Sequence, residues 1–274
     1  MIIGGKQFET TGHTYVMGIL NVTPDSFSDG GKWNSMDAAL KHAEDMINDG
    51  ADILDIGGES TRPGYTLLPD DEEISRVAPV IEAVKKNFDI PVSVDTYKSA
   101  VAAAALQAGA DLVNDIWGLK YDPNMASVIA KANVPCCLMH NRKEAVYTDY
   151  LPDVLDDLRD CVRLAKQAGI ADENIILDPG IGFGKTLEHN LILINHVEML
   201  HELGYPILLG TSRKSMIGLT LDLPKDQREE GTLVTTVLGV MKGCMFVRVH
   251  NVLANRRAVD MTEAILKSGG NTNG

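Results

Sequence analysis

The 274-residue sequence is short of basic residues, with 25 Lys and Arg against 38 Asp and Glu. The formal net charge of −13 argues against the phosphate backbone of a nucleic acid as a partner. No apolar run approaches the ~20 residues that a membrane-spanning helix needs, and no signal-peptide pattern opens the chain. We therefore expect a cytoplasmic protein without membrane or nucleic-acid partners.

Cysteine is also scarce, and the four cysteines lack the spacing of a zinc site. Cys136 and Cys137 are adjacent within an apolar run, and Cys161 and Cys244 stand alone. We expect all four to be buried thiols in a reducing compartment. A Gly-rich linker is missing too, so one domain over residues 1–274 is favoured over two.

What the chain does contain is a repeated unit of apolar strand, polar loop and amphipathic helix. The predicted strands are Tyr15–Leu20, Ile53–Ile56, Pro91–Asp95, Leu112–Asp115, Cys136–His140, Ile175–Leu177, Ile207–Gly210 and Phe246–Val249. The predicted helices are Met36–Asn48, Asp71–Asn87, Lys98–Gln107, Asn124–Lys131, Asp153–Gln167, Leu187–Leu203 and Leu253–Lys267. Ser35 is a candidate N-cap for the first helix.

Continuous apolar strands that alternate with helices are typical of a parallel sheet covered by helices. Eight such units in roughly 250 residues predict a closed (β/α)8 TIM barrel. An open doubly wound sheet is the alternative, and the eight regular repeats disfavour it. The first dozen residues, rich in Gly and Thr, predict a short hairpin or cap.

In such a barrel the active site lies at the carboxyl ends of the strands. Polar residues follow nearly every strand at that position, namely Asn21, Thr61, Asp95, Asn114, His140, Asp178, Lys214, Arg248 and His250. We expect these side chains to face one pocket.

The stretch from Asp178 to Thr186 places an acid and then Gly180, Gly182 and Gly184 after a buried strand. Glycine allows positive φ and lets a ligand approach the backbone closely. The spacing does not meet the P-loop pattern. A plain strand-to-helix turn is the alternative, and the Pro-Gly directly after Asp178 favours a functional role.

Asp95, Asn114 and Asp178 could surround a planar, amide-like ring, because carboxylates pair well with a guanidine-like edge. Helix capping is the alternative for each acid. At the other side, Lys214 and Arg248 end strands seven and eight, where barrels often bind phosphate. Arg248 interrupts an apolar strand and needs an anionic partner, either a ligand or a neighbouring Asp.

Asn21 could bind a Mg²⁺ ion that takes its other oxygens from water and substrate phosphates. A hydrogen bond that shapes the turn after Asn21 is an equal alternative. No Ser-His-Asp set or activated Cys stands out. The residues therefore indicate transfer at a carbon that bears a diphosphate, without a covalent protein nucleophile. The loops 25–31 and 59–64 are candidate lids.

These loops resemble those of the dihydropteroate synthase family. Asn21–Gly31 and Asp55–Gly64 are similar to its two mobile loops, and Asp178–Thr186, Ser212–Ser215 and Arg248–His250 complete the set. The resemblance implies a reaction of 6-hydroxymethyl-7,8-dihydropterin diphosphate with 4-aminobenzoate. The products are 7,8-dihydropteroate and diphosphate, in folate biosynthesis.

The resemblance also implies residue roles, with Asp95, Lys214 and Arg248 as the catalytic group. The implied pterin residues are Asp95, Asn114, Asp178 and Lys214. The implied diphosphate residues are Arg248 and His250, with Asn21 on Mg²⁺, and Met139 and Val249 are implied as further substrate-binding residues. The implied aminobenzoate residues are Phe27, Thr61, Arg62, Pro63, Phe183, Lys214 and Ser215. A homodimer and sensitivity to sulfonamides are expected on the same ground.

Three positions depart from the family pattern: Tyr65 replaces a small residue, Met216 a Phe, and Asn251 an Asp. Two rival functions remain. A methyltetrahydrofolate-dependent corrinoid methyltransferase would share the ring contacts but would need neither a diphosphate site nor the metal position, and the chain offers no second domain for a corrinoid. A non-catalytic pterin-binding barrel would lack site residues, whereas every position named above is filled.

Overall fold

The computed structural model describes residues 1–22, 32–59 and 67–268. Five residues discussed above lie outside these ranges: Phe27, Thr61, Arg62, Pro63 and Tyr65. Most of both predicted lids lies outside them as well. Within the same ranges, no helix has the length and apolarity to cross a membrane.

The strands agree with the predicted set to within one or two residues. They are β1 (Ile2–Ile3), β2 (Lys6–Gln7), β3 (Tyr15–Asn21), β4 (Ile53–Gly57), β5 (Val92–Asp95), β6 (Leu112–Asp115), β7 (Cys136–Met139), β8 (Ile175–Asp178), β9 (Leu208–Leu209) and β10 (Phe246–Val249). The helices are α1 (Lys32–Asn48), α2 (Asp70–Asn87), α3 (Ser99–Gln107), α4 (Met125–Ala132), α5 (Tyr150–Gln167), α6 (Leu187–Asn195), α7 (Ser215–Leu221), α8 (Glu229–Met241) and α9 (Val252–Ser268).

Strands β3 to β10 form one parallel sheet in the order β8-β7-β6-β5-β4-β3-β10-β9. A parallel bridge between Leu177 and Ile207 joins its two edges, and Leu177 N donates to Pro206 O at 2.9 Å. The sheet therefore closes into the predicted barrel, and the open-sheet alternative is wrong. The strands are almost wholly apolar because one face packs inside the barrel and the other beneath the helices.

The predicted N-terminal hairpin is formed by β1 and β2, which pair in antiparallel fashion. Ile3 and Phe8 are buried together with the barrel-interior residues Met17 and Ile53. The Phe8 ring lies 6.0 Å from that of Phe246, the first residue of β10. The hairpin thus closes the amino end of the barrel, and the site must lie at the opposite end.

Two helix boundaries differ from the prediction by four residues or more. Helix α1 begins at Lys32, so Ser35 lies within it, and the predicted N-cap is wrong. The predicted helix 187–203 ends at Asn195, and a 3-10 helix follows over Val197–Leu203. At the break, His196 N bonds both Ile192 O and Leu193 O, which tightens the last turn toward 3-10 geometry.

Helices α7 and α8 between the seventh and eighth barrel strands were not predicted. Helix α8 is rich in β-branched threonine, which favours strands over helices. In the structure Thr232, Thr235 and Thr236 are buried, and Thr236 Oγ1 donates to Asn255 Oδ1 at 2.7 Å. Tertiary contacts with α9 thus stabilise a helix that local propensity does not indicate.

All four cysteines are free and buried, as predicted. Burial raises the pKa of the Cys161 thiol to about 11 and that of Cys244 to about 12. The pKa values of Cys136 and Cys137 are raised for the same reason. The thiols therefore belong to the packing and are protonated near neutral pH.

Candidate active site

A cavity of about 270 Å³ lies at the carboxyl ends of the barrel strands. The predicted residues that line it are Asp95, Asn114, Met139, Asp178, Phe183, Lys214, Ser215, Arg248 and His250. Sheet register brings them together, because Asp95 pairs with Asn114 across β5 and β6 and Met139 with Asp178 across β7 and β8. A convergent pocket was expected, and the structure has one.

A larger depression of about 770 Å³ lies at the amino end, between the N-terminal segment and the loop at Tyr205. Two of its charged residues, Lys166 and Asp172, pair with each other at 3.0 Å. Asp172 also accepts a hydrogen bond from the Tyr205 hydroxyl. The convergent, buried ionisable groups are at the carboxyl end instead, and the chemistry is assigned there.

The guanidinium of Arg248, which lines the cavity at the carboxyl ends of the strands, bridges two buried carboxylates. Its Nε lies 2.5 Å from Asp55 Oδ2, and its Nη2 lies 2.6 Å from Asp95 Oδ2. The anionic partner that Arg248 requires is therefore supplied by neighbouring aspartates. Asp55 was missed as a site residue, although a single acid within Ile53-Leu54-Asp55-Ile56 was a signal for it.

Burial raises the pKa of Asp95 to about 7; Arg248 opposes this shift, and the charge of Asp55 adds to it. Burial lowers the pKa of Arg248, but Asp55 and Asp95 outweigh that effect and raise it, so the guanidinium stays charged. Within the described residues, Asp95 Oδ1 is buried without a hydrogen-bond partner. It is an acceptor available to a ligand in the pocket.

Asn114 and Asp178 are both held in place by specific hydrogen bonds. Asn114 Nδ2 donates to Asp55 Oδ2 at 3.2 Å, so Asp55 orients the carboxamide as well as the guanidinium. Asp178 Oδ1 accepts from Gly180 N at 2.6 Å. Burial raises the pKa of Asp178, opposed by that N–H and by Lys214. Thr186 caps the following helix, so the helix-capping alternative for Asp178 is wrong.

Lys214 connects the pocket to the glycine loop 180–184. Its Nζ donates to Ile181 O at 2.6 Å and lies 4.1 Å from the centroid of the Phe183 ring, within cation–π range. Burial lowers the pKa of Lys214 to about 8, opposed by the charge of Asp178. The Lys214 amino group therefore contacts a backbone carbonyl and an aromatic face, and the charge of Asp178 favours its protonated form.

His250 and Ser212 form a pair at the basic side of the pocket. Ser212 Oγ lies 2.9 Å from His250 Nδ1 and accepts from His250 N at 3.1 Å. Three further cationic side chains line the cavity, namely Arg213, Lys225 and Arg228. They were not assigned to the site from the sequence. Two of these, Lys225 and Arg228, belong to the region of α7 and α8 where no helix was predicted.

Not every predicted strand-end residue enters the pocket. The side chain of His140 is fully buried and lies against Asp157 of α5, with Nε2 2.9 Å from Oδ2. The expectation that His140 faces the pocket is therefore wrong, because a charge on α5 holds it beneath the barrel wall. Val249 packs in the core between barrel and helices, and Asn21 is half-buried at the end of β3. Their binding roles stay predictions.

Two of the three departures from the family pattern can be located. Met216 is buried in the hydrophobic core beside α6 and α8 rather than in the pocket. Asn251 Oδ1 accepts from Ala254 N at 3.2 Å in the first turn of α9. Neither substitution alters a group that lines the cavity.

Comparison with known proteins agrees with this geometry. A family model described as "Pterin binding enzyme" matches residues 17–250. The dihydropteroate synthase of Clostridium beijerinckii is 62% identical over 97% of this chain and 100% of its own length. That of Bacillus subtilis is 59% identical over 94% of this chain and 90% of its own length. The chain belongs to the dihydropteroate synthase family.

Solved structures of dihydropteroate synthases share the fold closely. A Clostridium difficile structure with pteroic acid has a TM-score of 0.92 and 51% identity, covering 94% of this chain and 99% of that one. A Yersinia pestis structure with a sulfonamide drug has a TM-score of 0.91 and 42% identity, covering 97% and 99%. Membership of the dihydropteroate synthase family also sets aside the corrinoid methyltransferase alternative.

Replacing Asp55 by Asn is expected to lower the pKa of Asp95 by about one pH unit or more. The reason is that the charge opposing ionisation of Asp95 disappears while Arg248 remains. Carboxyl-carbon NMR titration of Asp95 measures the change.

The same substitution should alter how stability depends on pH. Since the wild-type pKa of Asp95 is raised from 3.8 to about 7, protonation of Asp95 favours the folded state, and the free energy of unfolding falls as pH rises from about 4 to about 7. In Asp55→Asn the free energy of unfolding should fall less over the same pH range.

The matched control for this titration is Asp172→Asn, which removes an exposed carboxylate paired with Lys166. It should leave the Asp95 midpoint unchanged. An Asp95 midpoint that does not move in Asp55→Asn would show that Asp55 does not set the charge state of the pocket.

Proposed function

We propose that this chain is a dihydropteroate synthase. It condenses 6-hydroxymethyl-7,8-dihydropterin diphosphate with 4-aminobenzoate and releases 7,8-dihydropteroate and diphosphate. The observation that carries the proposal is the Asp55–Arg248–Asp95 cluster, which places the ring-binding carboxylate of Asp95 directly beside a phosphate-binding cation. Related solved structures contain pteroic acid or 4-aminobenzoic acid, the product-like and substrate molecules of this reaction.

The acidic side of the pocket suits the pterin ring. The carboxylates of Asp95 and Asp178 and the carboxamide of Asn114 converge on the cavity. Asp95 Oδ1 offers an acceptor that no described protein group uses. A pterin presents adjacent N–H donors on its guanidine-like edge, and paired carboxylate oxygens bind such an edge well.

The basic side suits the diphosphate. Arg248 and His250 lie at the end of β10, and Ser212 holds the His250 ring in place. Arg213, Lys225 and Arg228 add positive charge along the same wall. Donors positioned before the reaction stabilise charge that grows on the leaving diphosphate.

The chemistry requires no protein nucleophile. The C–O bond to diphosphate breaks with both electrons leaving on oxygen, and the pterin methylene becomes a cation that the ring delocalises. Three carboxylates, Asp55, Asp95 and Asp178, lie near Lys214 and Arg248 on the ring side, whereas Arg213, Lys225 and Arg228 lie along the diphosphate wall. Asp95 stabilises the cation electrostatically. The aminobenzoate nitrogen then forms the C–N bond and loses one proton.

The aminobenzoate side is formed in part by Phe183, Lys214 and Ser215, which line the cavity beside the ring-binding acids. The roles implied for Phe27, Thr61, Arg62 and Pro63 stay predictions, since these residues lie outside the described ranges. A sulfonamide resembles 4-aminobenzoate in its aryl amine. We propose that sulfonamides compete for this part of the pocket, as the drug complex of a related enzyme suggests.

The test is to mix the protein with the pterin diphosphate, 4-aminobenzoate and Mg²⁺ and to follow diphosphate and dihydropteroate together. Wild type should form both in equal amounts. Asp95→Asn should slow turnover ~100-fold or more, because it removes charge that stabilises the cation, while calorimetric affinity for diphosphate changes less than about threefold. Equal losses in turnover and diphosphate affinity would contradict the role of Asp95, and pterin binding without either product would favour the non-catalytic alternative.

We also propose that the diphosphate is bound with Mg²⁺ and that Asn21 supplies one ligand. Asn21 ends β3, which lies between the strands that carry Asp55 and Arg248. In the part of the chain that the structure describes, no group of three His, Cys, Asp or Glu could hold a metal by itself. This fits an ion that keeps its waters and takes oxygens from the substrate. When bound, Mg²⁺ would offset negative charge on the leaving diphosphate.

Calorimetry of the pterin diphosphate with and without Mg²⁺ tests this metal role. Binding by wild type should weaken roughly tenfold or more when Mg²⁺ is removed, since the cation neutralises phosphate charge. Asn21→Ala should shrink that difference and leave binding without Mg²⁺ unchanged. A Mg²⁺ effect of the same size in Asn21→Ala would remove Asn21 from the metal site.

A homodimer through the face of α6, α7 and α8 is the third proposal. Exposed apolar side chains cluster there, namely Leu191, Leu219, Leu221, Val234 and Met241. Three of them, Leu191, Leu221 and Val234, line an apolar groove of about 340 Å³ between these helices. A contiguous apolar face of this kind marks an interface, and a second copy with the same face would bury it by two-fold symmetry.

Light scattering after gel filtration tests the dimer. Wild type should have twice the chain mass, and Val234→Glu should be monomeric, because it places a charge on a side chain that is 60% exposed in the isolated chain. The control is Met261→Glu on α9, which is 62% exposed and should remain dimeric. A monomeric wild type, or dissociation by Met261→Glu alone, would contradict this interface.

A further inference from the structure

The glycine loop rests on the buried amino group of Lys185, which the proposed chemistry does not use. Burial lowers the pKa of Lys185 to about 7, opposed by the charge of Asp178. Lys185 Nζ lies 2.7 Å from His140 Nδ1, 2.9 Å from Gly180 O and 3.0 Å from Phe183 O. In its protonated form a lysine has three donors and no acceptor, and these three groups can accept all of them. The side chain lies behind the loop and does not line the cavity.

The contact with His140 extends the anchor into helix α5. Since Lys185 donates to Nδ1, the His140 ring is neutral and carries its proton on Nε2, which donates to Asp157 Oδ2 at 2.9 Å. The same Asp157 oxygen accepts from Arg142 Nε at 2.6 Å. Burial lowers the pKa of His140 to about 4, which keeps the ring neutral. The glycine loop is thus linked to helix α5 through the side chains of Lys185 and His140.

The loop also lies unusually close to the chain beneath it. Gly180 and Gly184 have φ of +71° and +57°, in the left-handed region that favours glycine. A Cβ at Gly180 would lie 1.9 Å from His140 O, and one at Gly184 would lie 2.3 Å from Arg142 O. Neither position therefore has room for a side chain, and the loop backbone packs directly on residues 140–142. Lys185 hydrogen-bonds two carbonyls of this loop, those of Gly180 and Phe183.

The loop carries two groups into the site. One is the Phe183 ring, and the other is the carbonyl of Ile181, which fixes Lys214 Nζ at 2.6 Å. The same Nζ lies 4.1 Å from the Phe183 ring centroid. Lys185 holds the carbonyls on either side of Ile181, so its position determines where both the ring and the second lysine lie.

We propose that Lys185 is a positioning residue for the aminobenzoate half of the reaction. It holds loop 180–184 so that the Phe183 ring and Lys214 form the surface against which the aromatic amine lies. The inference rests on the proposed function and adds to it a residue that touches neither substrate. Two of the residues implied for the pterin ring, Asp178 and Lys214, are also bound by this loop, but Asp95 and Asn114 lie on β5 and β6 and are held independently of it.

The first test is Lys185→Met, which keeps most of the apolar stem and removes the donors. The KM for 4-aminobenzoate should rise ~10-fold or more and kcat should fall, since small misplacement of a positioning group has large effects. The KM for the pterin diphosphate should rise less, by no more than about threefold, because Asp95, Asn114 and Arg248 stay in place. Lys166→Met, which removes an exposed lysine paired with Asp172, is the matched control and should change neither constant.

A double-mutant cycle separates positioning from a general loss of structure. If Lys185 acts through the ring, Lys185→Met and Phe183→Leu together should reduce kcat/KM for 4-aminobenzoate by little more than the larger single loss. Losses that multiply would overturn the inference, as would equal increases in KM for both substrates in Lys185→Met.

A second variant covers the case in which Lys185→Met does not fold. Tyr147→Phe removes only the hydroxyl that donates to Gly184 O at 2.7 Å, at the far end of the same loop. It should raise the aminobenzoate KM selectively, by roughly two- to fivefold, as expected for one lost hydrogen bond. An unchanged KM in this variant would contradict the role of the loop.

The proposed function can fail separately from this inference. A wild type that forms no dihydropteroate would refute the function, and the loop would then be tested by calorimetric binding of 4-aminobenzoate in the presence of pterin diphosphate. Weaker binding to Lys185→Met than to Lys166→Met would support the positioning role, and equal binding would overturn it.

Discussion

The bidentate bridge from Arg248 to Asp55 and Asp95 is the interaction on which the site depends. It links three strands of the barrel, β4, β5 and β10, at the end where the pocket opens. Removing one partner of a buried ion pair typically costs about 3–5 kcal/mol, because the other charge is left uncompensated. The Asp55–Arg248–Asp95 cluster therefore stabilises the packing of these three strands. It also holds a cation and a carboxylate side by side, so that Asp95 can stabilise a cationic pterin while Arg248 binds its leaving diphosphate.

A second constraint acts on the opposite wall, where two lysines hold the carbonyls of one glycine loop. Lys214 faces the cavity and binds Ile181 O, while Lys185 lies behind the loop and binds Gly180 O and Phe183 O. Neither lysine pairs directly with a carboxylate among these contacts. The wall is thus built from backbone dipoles and an aromatic face, and it differs in character from the ionic centre around Arg248.

The sequence predicted the barrel well, because short apolar runs bounded by turn residues alternate regularly with amphipathic helical patterns along the chain. The strand-end rule likewise found Asp95, Asn114, Asp178 and Lys214. It failed at His140, because nothing local shows that Asp157 on α5 holds that ring beneath the wall. Asp55 was overlooked because it lies inside a strand, and α8 because its buried threonines pack only in the folded chain. Such tertiary partners cannot be read from local pattern.

The four buried cysteines give the chain a built-in probe of opening. They lie on β7, on α5 and just before β10, and burial holds the thiol pKa of Cys161 and Cys244 at about 11 and 12. Only thiolates react readily with alkylating reagents, so each cysteine can be modified only when its own region opens. Mass-resolved alkylation of the native protein would therefore report local unfolding at three places without any engineered label.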